Sequence, residues 1–352
     1  MRDKALNQKD TLSSSFIKIL LKDTLIRKRK ISEQSPQNPC IEDLKKLKSC
    51  NKEPIIGLSN SGNNCCINAT LQIILNNLEL RKIWENCFPE IAVMYYEALY
   101  NGQASAPEAI SYEFRRQLIQ KSSSNLINED SDVQEDPTAF FEVFFNICKE
   151  NLSHMEVSFE RMKYKQVGDG SLEPSIEKPE NHREFRISIN NQFDRNISLE
   201  ELLKNHCLEI NEVEENGIKI TYRSEDQYVS LPYHLFIDLF TNDRRNTSGV
   251  CIPTNLFFPR ELLRDKCFPH EYELKGFIVH LGETDVRGHY IAYRKVHEKW
   301  MEFNDDLVVD VDENQLQELL ENSQKEESSS LPHILEGCNP YICMLSYSKK
   351  QP

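Results

Sequence analysis

Gly57-Leu58-Ser59-Asn60-Ser61-Gly62-Asn63-Asn64-Cys65 runs without a break into Cys66-Ile67-Asn68-Ala69-Thr70-Leu71-Gln72. The first part is a turn-prone loop rich in Gly and Asn. Beyond Cys65, the apolar residues Ile67, Leu71, Ile74, Leu75 and Leu78 recur at steps of three and four, which predicts a helix buried along one stripe. The junction puts a thiol at a helix N-terminus, where orphan N–H groups and the positive end of the dipole stabilise a thiolate. The same N–H groups can face an oxyanion.

A second signal lies far along the chain. Gly288-His289-Tyr290 opens a strand, and after a short polar turn Trp300-Met301-Glu302-Phe303-Asn304-Asp305-Asp306 returns beside it. A catalytic imidazole needs an acceptor on its far ring nitrogen to fix tautomer and orientation. Asn304 or Asp305 is placed to supply it.

Between these signals, helical pattern continues through residues 80–100 and again from Phe140 to Cys148. Residues 155–182 are polar and rich in Gly, Pro and Glu, which reads as an insertion or long loop. The second half is strand-rich: Phe185 to Ile189, Ile218 to Tyr222, Leu235 to Phe240, Phe277 to Leu281, Tyr290 to Tyr293 and Tyr341 to Tyr347. Helices followed by a sheet predict an α+β protein rather than a βαβ repeat.

The chain has 352 residues, is 39% hydrophobic and carries 17 Phe and 13 Tyr, enough for a large core. No apolar run approaches the ~18 residues of a membrane helix, so a soluble protein without membrane partners is expected. Net charge is −14, but residues 1–50 hold 12 Lys/Arg against 6 Asp/Glu. The strongly acidic remainder argues against a nucleic-acid groove and suits a basic protein partner. Residues 1–50, with the run Arg27-Lys28-Arg29-Lys30, read as a flexible basic extension before a body at 51–352. The cysteine count is 11, odd and without a C-x-x-C pair, and the N-terminus lacks the apolar core of a secretory signal. Reduced thiols in a cytoplasmic or nuclear setting are expected, or in a host cytosol for a delivered effector. Neither cofactor nor metal is expected.

Gly57 to Gln72 resembles the Cys box of the ubiquitin-specific proteases, G-L-x-N-x-G-N-T-C-Y-M-N-S-x-L-Q. Phe277 to Val309 is similar to their His box, with His280 and Gly282 leading in, then G-H-Y and W-x-x-F-N-D. Gln134 to Phe140 resembles the Q-Q-D-A-x-E-F element, Ser230 to Leu239 the L-P-x-x-L strand, and Pro340 to Tyr347 the closing strand. The ordered matches span residues 55–347. The resemblance implies a papain-like cysteine protease fold with a helical thumb, an antiparallel β palm, and reduced fingers without zinc. It implies a thiol-dependent hydrolase that cuts after the C-terminal glycine of ubiquitin or a ubiquitin-like protein, acting as a monomer.

Carried over residue by residue, it implies Cys65 as nucleophile and His289 as base. Asn304 takes the third position, Asp305 the adjacent acidic one, and Asn60 the side-chain donor of the oxyanion hole. Asp136 is implied to meet arginine on the ubiquitin tail, with Gly288 and Tyr290 beside the substrate channel. Three departures stand out: Asn64 replaces Thr, Cys66 replaces the aromatic after the nucleophile, and Ala139 replaces Glu. Competing readings are a protease for SUMO or a NEDD8-type modifier, a catalytically weak ubiquitin-binding module, and a transglutaminase-like acyltransferase.

Overall fold

The computed structural model describes residues 55–60, 62–103, 105–122, 126–127, 135–166, 171–175, 178–190, 197–215, 218–240, 250–266, 270–284, 287–322 and 340–350. The expected extension at 1–50 lies outside these residues. The first half is helical: β1 (Gly57–Leu58), α1 (Cys65–Asn76), α2 (Leu78–Cys87), α3 (Pro89–Tyr100), β2 (Ser105–Ala106), α4 (Ala109–Lys121), α5 (Pro137–Ile147) and α6 (Lys149–Leu152).

α1 is buried from Cys65 to Leu75 on every side, not along one stripe. That is possible because its buried hydroxyl and amide N–H groups donate to nearby carbonyls. Thr70 donates back to the Cys66 carbonyl at 2.8 Å, and Gln72 Nε2 to the Ile56 carbonyl at 2.9 Å. Leu78, read with that stripe, instead opens α2 and is 55% exposed. The break is chemical: the Asn77 side chain accepts from the N–H groups of Glu79 and Leu80, both at 3.0 Å, and starts a new helix. Behind α1, rings fill the helical core, with Phe88 against Phe114 at 5.0 Å and Phe145 stacked on Phe185 at 4.9 Å.

The second half runs β3 (Val157–Gln166), β4 (Leu172–Pro174), β5 (Glu180–Glu184), β6 (Ile187–Asn190), β7 (Ile197–Ser198), α7 (Leu199–His206), β8 (Leu208–Glu215), β9 (Ile218–Ser230), β10 (His234–Phe240), β11 (Val250–Cys251), β12 (Asn255–Phe257), β13 (Glu271–Thr284), β14 (Arg287–Val296), β15 (Lys299–Asn304), β16 (Leu307–Val311), α8 (Glu313–Asn322) and β17 (Pro340–Lys349). The main sheet has the order β16-β15-β14-β13-β17-β10-β6, with β12 on β13. It is antiparallel except where β6 joins β10. α1 packs across β13, β14 and β15, so the thiol helix lies directly on the strand that carries His289.

The expected loop at 155–182 is wrong. Those residues supply β3, β4 and β5 of a second sheet of order β4-β3-β9-β8, with β5 on β3. Alternating hydrophobicity reports one buried face, and most of β3 is only half-buried. Polar cross-strand pairs hold this sheet instead. Arg161 faces Asp226 and donates twice, at 2.6 and 2.7 Å; Ser158 faces Ser230 at 2.8 Å. Among the described residues, no group of three His, Cys, Asp or Glu could hold a metal.

α7 and α8 are not foreseen within the strand-rich half. Both carry local start signals: Ser198 Oγ accepts from Glu201 N at 3.1 Å, and Asp312 and Gln315 cap each other's N–H groups at 2.9 and 3.2 Å.

Candidate active site

Cys65 is the first residue of α1, 4% exposed, and the Asn64 side chain makes no capping hydrogen bond there. His289 enters from β14, two positions into the strand. The two meet: a hydrogen bond to Cys65 is the leading cause that pushes the His289 imidazole up to about 9, opposed by burial and helped by Asn304 and by the charges of Cys65 and Asp305. His289 Nε2 lies 2.7 Å from Asn304 Oδ1 and 3.9 Å from Asp305 Oδ2. With Nε2 engaged by Asn304, the other ring nitrogen is left for the thiol.

Asp305 is the hinge between the two halves of this site. It sits in the turn between β15 and β16 at φ 52°, a left-handed conformation that Asp tolerates better than most residues. Its carbonyl accepts from Leu58 N at 2.8 Å, tying the turn to the loop before the nucleophile. Gly57 allows that approach, since a Cβ there would lie 2.5 Å from the Asp306 carbonyl oxygen and 2.7 Å from that of Asp305. The Asp305 carboxylate accepts from Asn60 Nδ2 at 2.8 Å and from Asn68 Nδ2 at 2.7 Å. Asn60 Oδ1 meanwhile accepts from the N–H groups of Gly62 and Asn64, at 3.0 and 3.3 Å, and so folds the loop.

Asn68 is missed by the sequence reading. It lies one turn after Cys65, is 2% exposed, and also donates to the Leu58 carbonyl at 3.0 Å; Ser111 from α4 donates to its Oδ1. An amide inside an otherwise apolar helical pattern is the available signal, because a buried amide must be paired.

Residues 56–344 match the family described as ubiquitin carboxyl-terminal hydrolase. The chain belongs to that family. Ubiquitin carboxyl-terminal hydrolase 48 of Danio rerio is 26% identical over 350 residues, covering 85% of this chain and 32% of that protein. The rat protein of the same name is 24% identical, covering 79% of this chain and 30% of its own length, so the chain spans about a third of these relatives. Ubl carboxyl-terminal hydrolase 18 of Mus musculus is 25% identical over 72% of this chain and 77% of its own length. Among solved structures, a chain of the SAGA DUB module Ubp8/Sgf11/Sus1/Sgf73 bound to monoubiquitin superposes with a TM-score of 0.60 at 18% identity, covering 90% of this chain and 76% of that one. The α+β fold is therefore that of the ubiquitin carboxyl-terminal hydrolases.

Three other expected site residues, Tyr290, Gly288 and Asp136, have the following surroundings. Tyr290 is 1% exposed, its ring 4.5 Å from that of His280, so it faces the core rather than a substrate channel. Gly288 is exposed, but its missing side chain serves packing: a Cβ would lie 2.2 Å from His280 Nε2 and 2.5 Å from the Leu281 carbonyl oxygen. Asp136 caps α5, accepting from Thr138 N at 2.9 Å. Its charge adds to burial in pushing the neighbouring Asp238 carboxyl up to about 6. Cys66 is fully buried, and burial pushes its thiol far up. Behind it, Arg115 pairs with Glu135 at 3.0 Å. A surface cleft lined by Glu142, Lys149, Arg183 and Arg186 contains none of the reactive groups. No described helix is long and apolar enough to cross a membrane.

Proposed function

We propose that this chain is a thiol-dependent deubiquitinase that hydrolyses the bond after the C-terminal glycine of ubiquitin. One arrangement carries the reading: α1, which begins at Cys65, packs on the strand that bears His289, and Asn304 stands 2.7 Å from one ring nitrogen of that imidazole. Cys65 attacks the carbonyl carbon of the terminal glycine. His289 delivers its proton to the leaving amine, and water then hydrolyses the thioester, with the imidazole as base. The Cys65 backbone N–H at the start of α1 faces the oxyanion. Asn60 supports it: one amide proton is held by Asp305, and the NH₂ group has a second to offer. Loss of such a donor typically costs ~10²–10³ in rate.

A protease for a ubiquitin-like modifier is the second reading. It is favoured by the mouse relative named as a Ubl hydrolase and by Ala139, which removes a carboxylate expected next to the tail. Ubiquitin carrying a C-terminal fluorogenic amide, run in parallel with the SUMO and NEDD8 equivalents, separates the two. Turnover of ubiquitin supports the first, turnover of another modifier alone the second. Binding without turnover, unchanged in Cys65→Ala, refutes both.

A further inference from the structure

Two thiols outside the active site touch each other. Cys87 ends α2, Cys148 caps the C-terminus of α5, and their sulfurs are 3.3 Å apart with Cys148 donating. The proposed hydrolysis uses neither. Cys148 is 1% exposed, whereas Cys87 is only half-buried. A helix C-terminus ordinarily disfavours a thiolate. Here Lys121 compensates: its Nζ donates to the Cys87 carbonyl at 2.5 Å and sits 4.6 Å above the Phe88 ring. The bond from Cys148, with a smaller contribution from Lys121, lowers the Cys87 thiol against the effect of burial. The same bond and burial push Cys148 upward. One sulfur is reachable and lies near a lysine; the other is sheltered and donates to it.

We propose that Cys87 and Cys148 form a peroxide-sensitive dithiol, with Cys87 attacked first and Cys148 resolving it to a disulfide between α2 and α5. The Cys87 thiolate attacks one oxygen of hydrogen peroxide; an S–O bond forms, the O–O bond breaks, and hydroxide leaves. The Cys148 sulfur then attacks the sulfenic sulfur, the S–O bond breaks, and the departing oxygen takes the Cys148 proton as water. In balance, two thiols and one peroxide give a disulfide and two waters. The adjacent pair Cys65–Cys66 is a poor competitor, since its ring is strained and Cys66 is fully buried.

The test is peptide mapping of the full chain after brief treatment with hydrogen peroxide, quenching with catalase, and alkylation of the remaining thiols under denaturing conditions. A Cys87–Cys148 cross-linked peptide that disappears with dithiothreitol is expected. It should form equally in Cys65→Ala, which separates this inference from the reading of the active site. In Cys148→Ser, Cys87 should instead accumulate a dimedone adduct. If Cys87 and Cys148 are both recovered alkylated at doses that oxidise half of Cys65, or if Cys87 is found joined to another cysteine, the proposal is overturned. The wild-type map decides the matter even if Cys148→Ser does not fold.

Discussion

Replacing Asn304 with alanine removes the acceptor 2.7 Å from His289 Nε2 and, with it, one of the causes that keep this imidazole protonated up to about pH 9. On the proposed mechanism, a reactive state that needs the imidazolium beside Cys65 is about nine-tenths populated at pH 8 and about one-tenth at pH 10, so kcat/KM should fall roughly tenfold between them. Asn304→Ala moves that alkaline limb to lower pH, and loss of ring orientation lowers kcat by about 10². Asn304→Asp restores an acceptor and adds a charge favouring the imidazolium, so its limb moves the other way. Stability follows the same titration. The folded pKa lies above the unfolded value, so the contribution of His289 is complete below about pH 6.5 and disappears as pH rises through about 9. The assay is hydrolysis of a ubiquitin C-terminal fluorogenic amide from pH 6 to 10.5, with circular dichroism at each pH to confirm folding. A wild-type limb near pH 6.5, or an Asn304→Ala limb that stays in place, would refute the pairing of Cys65 with His289.

Cys65→Ala should abolish hydrolysis, while Cys66→Ala keeps most of it and loses stability, because Cys66 is fully buried; the reverse result in the same assay would reassign the nucleophile. Asn68→Ala takes one of two amide donors from the Asp305 carboxylate. It should lower kcat about tenfold or more with KM little changed, and cost about 1–3 kcal/mol in urea unfolding; a change confined to KM would argue against a positioning role. Gly288→Ala drives a Cβ to within 2.2 Å of His280 Nε2. A loss of about 1–3 kcal/mol is expected by thermal denaturation, with activity falling alongside, and an unchanged Tm would show that the strands can part freely. Zinc chelators should leave activity and Tm unchanged, since the full sequence holds no C-x-x-C pair; one metal per chain by elemental analysis would contradict this.

How much of this site the sequence announces depends on the distance over which each signal acts. The Cys65 junction and the His289 hairpin are local patterns, a loop entering a periodic helix and a strand returning after a two-residue turn, and both are legible. Of the second sheet only the start of β9, Ile218 to Tyr222, is legible, because the register depends on pairs such as Arg161 with Asp226, 65 positions apart, and the half-buried β3 leaves no alternation to read. Hydrophobic periodicity also counts Asn68 as an interruption, although its amide bridges the Leu58 carbonyl and Asp305. Gly57 looks like an ordinary loop glycine until Asp305 and Asp306 are seen pressed against it. The residues proposed to react are therefore found by their chemistry. Those that bring the two halves together are identified only by contacts between distant segments, and a chain could keep Cys65, His289 and Asn304 yet lose activity through changes at positions 57, 68 or 111.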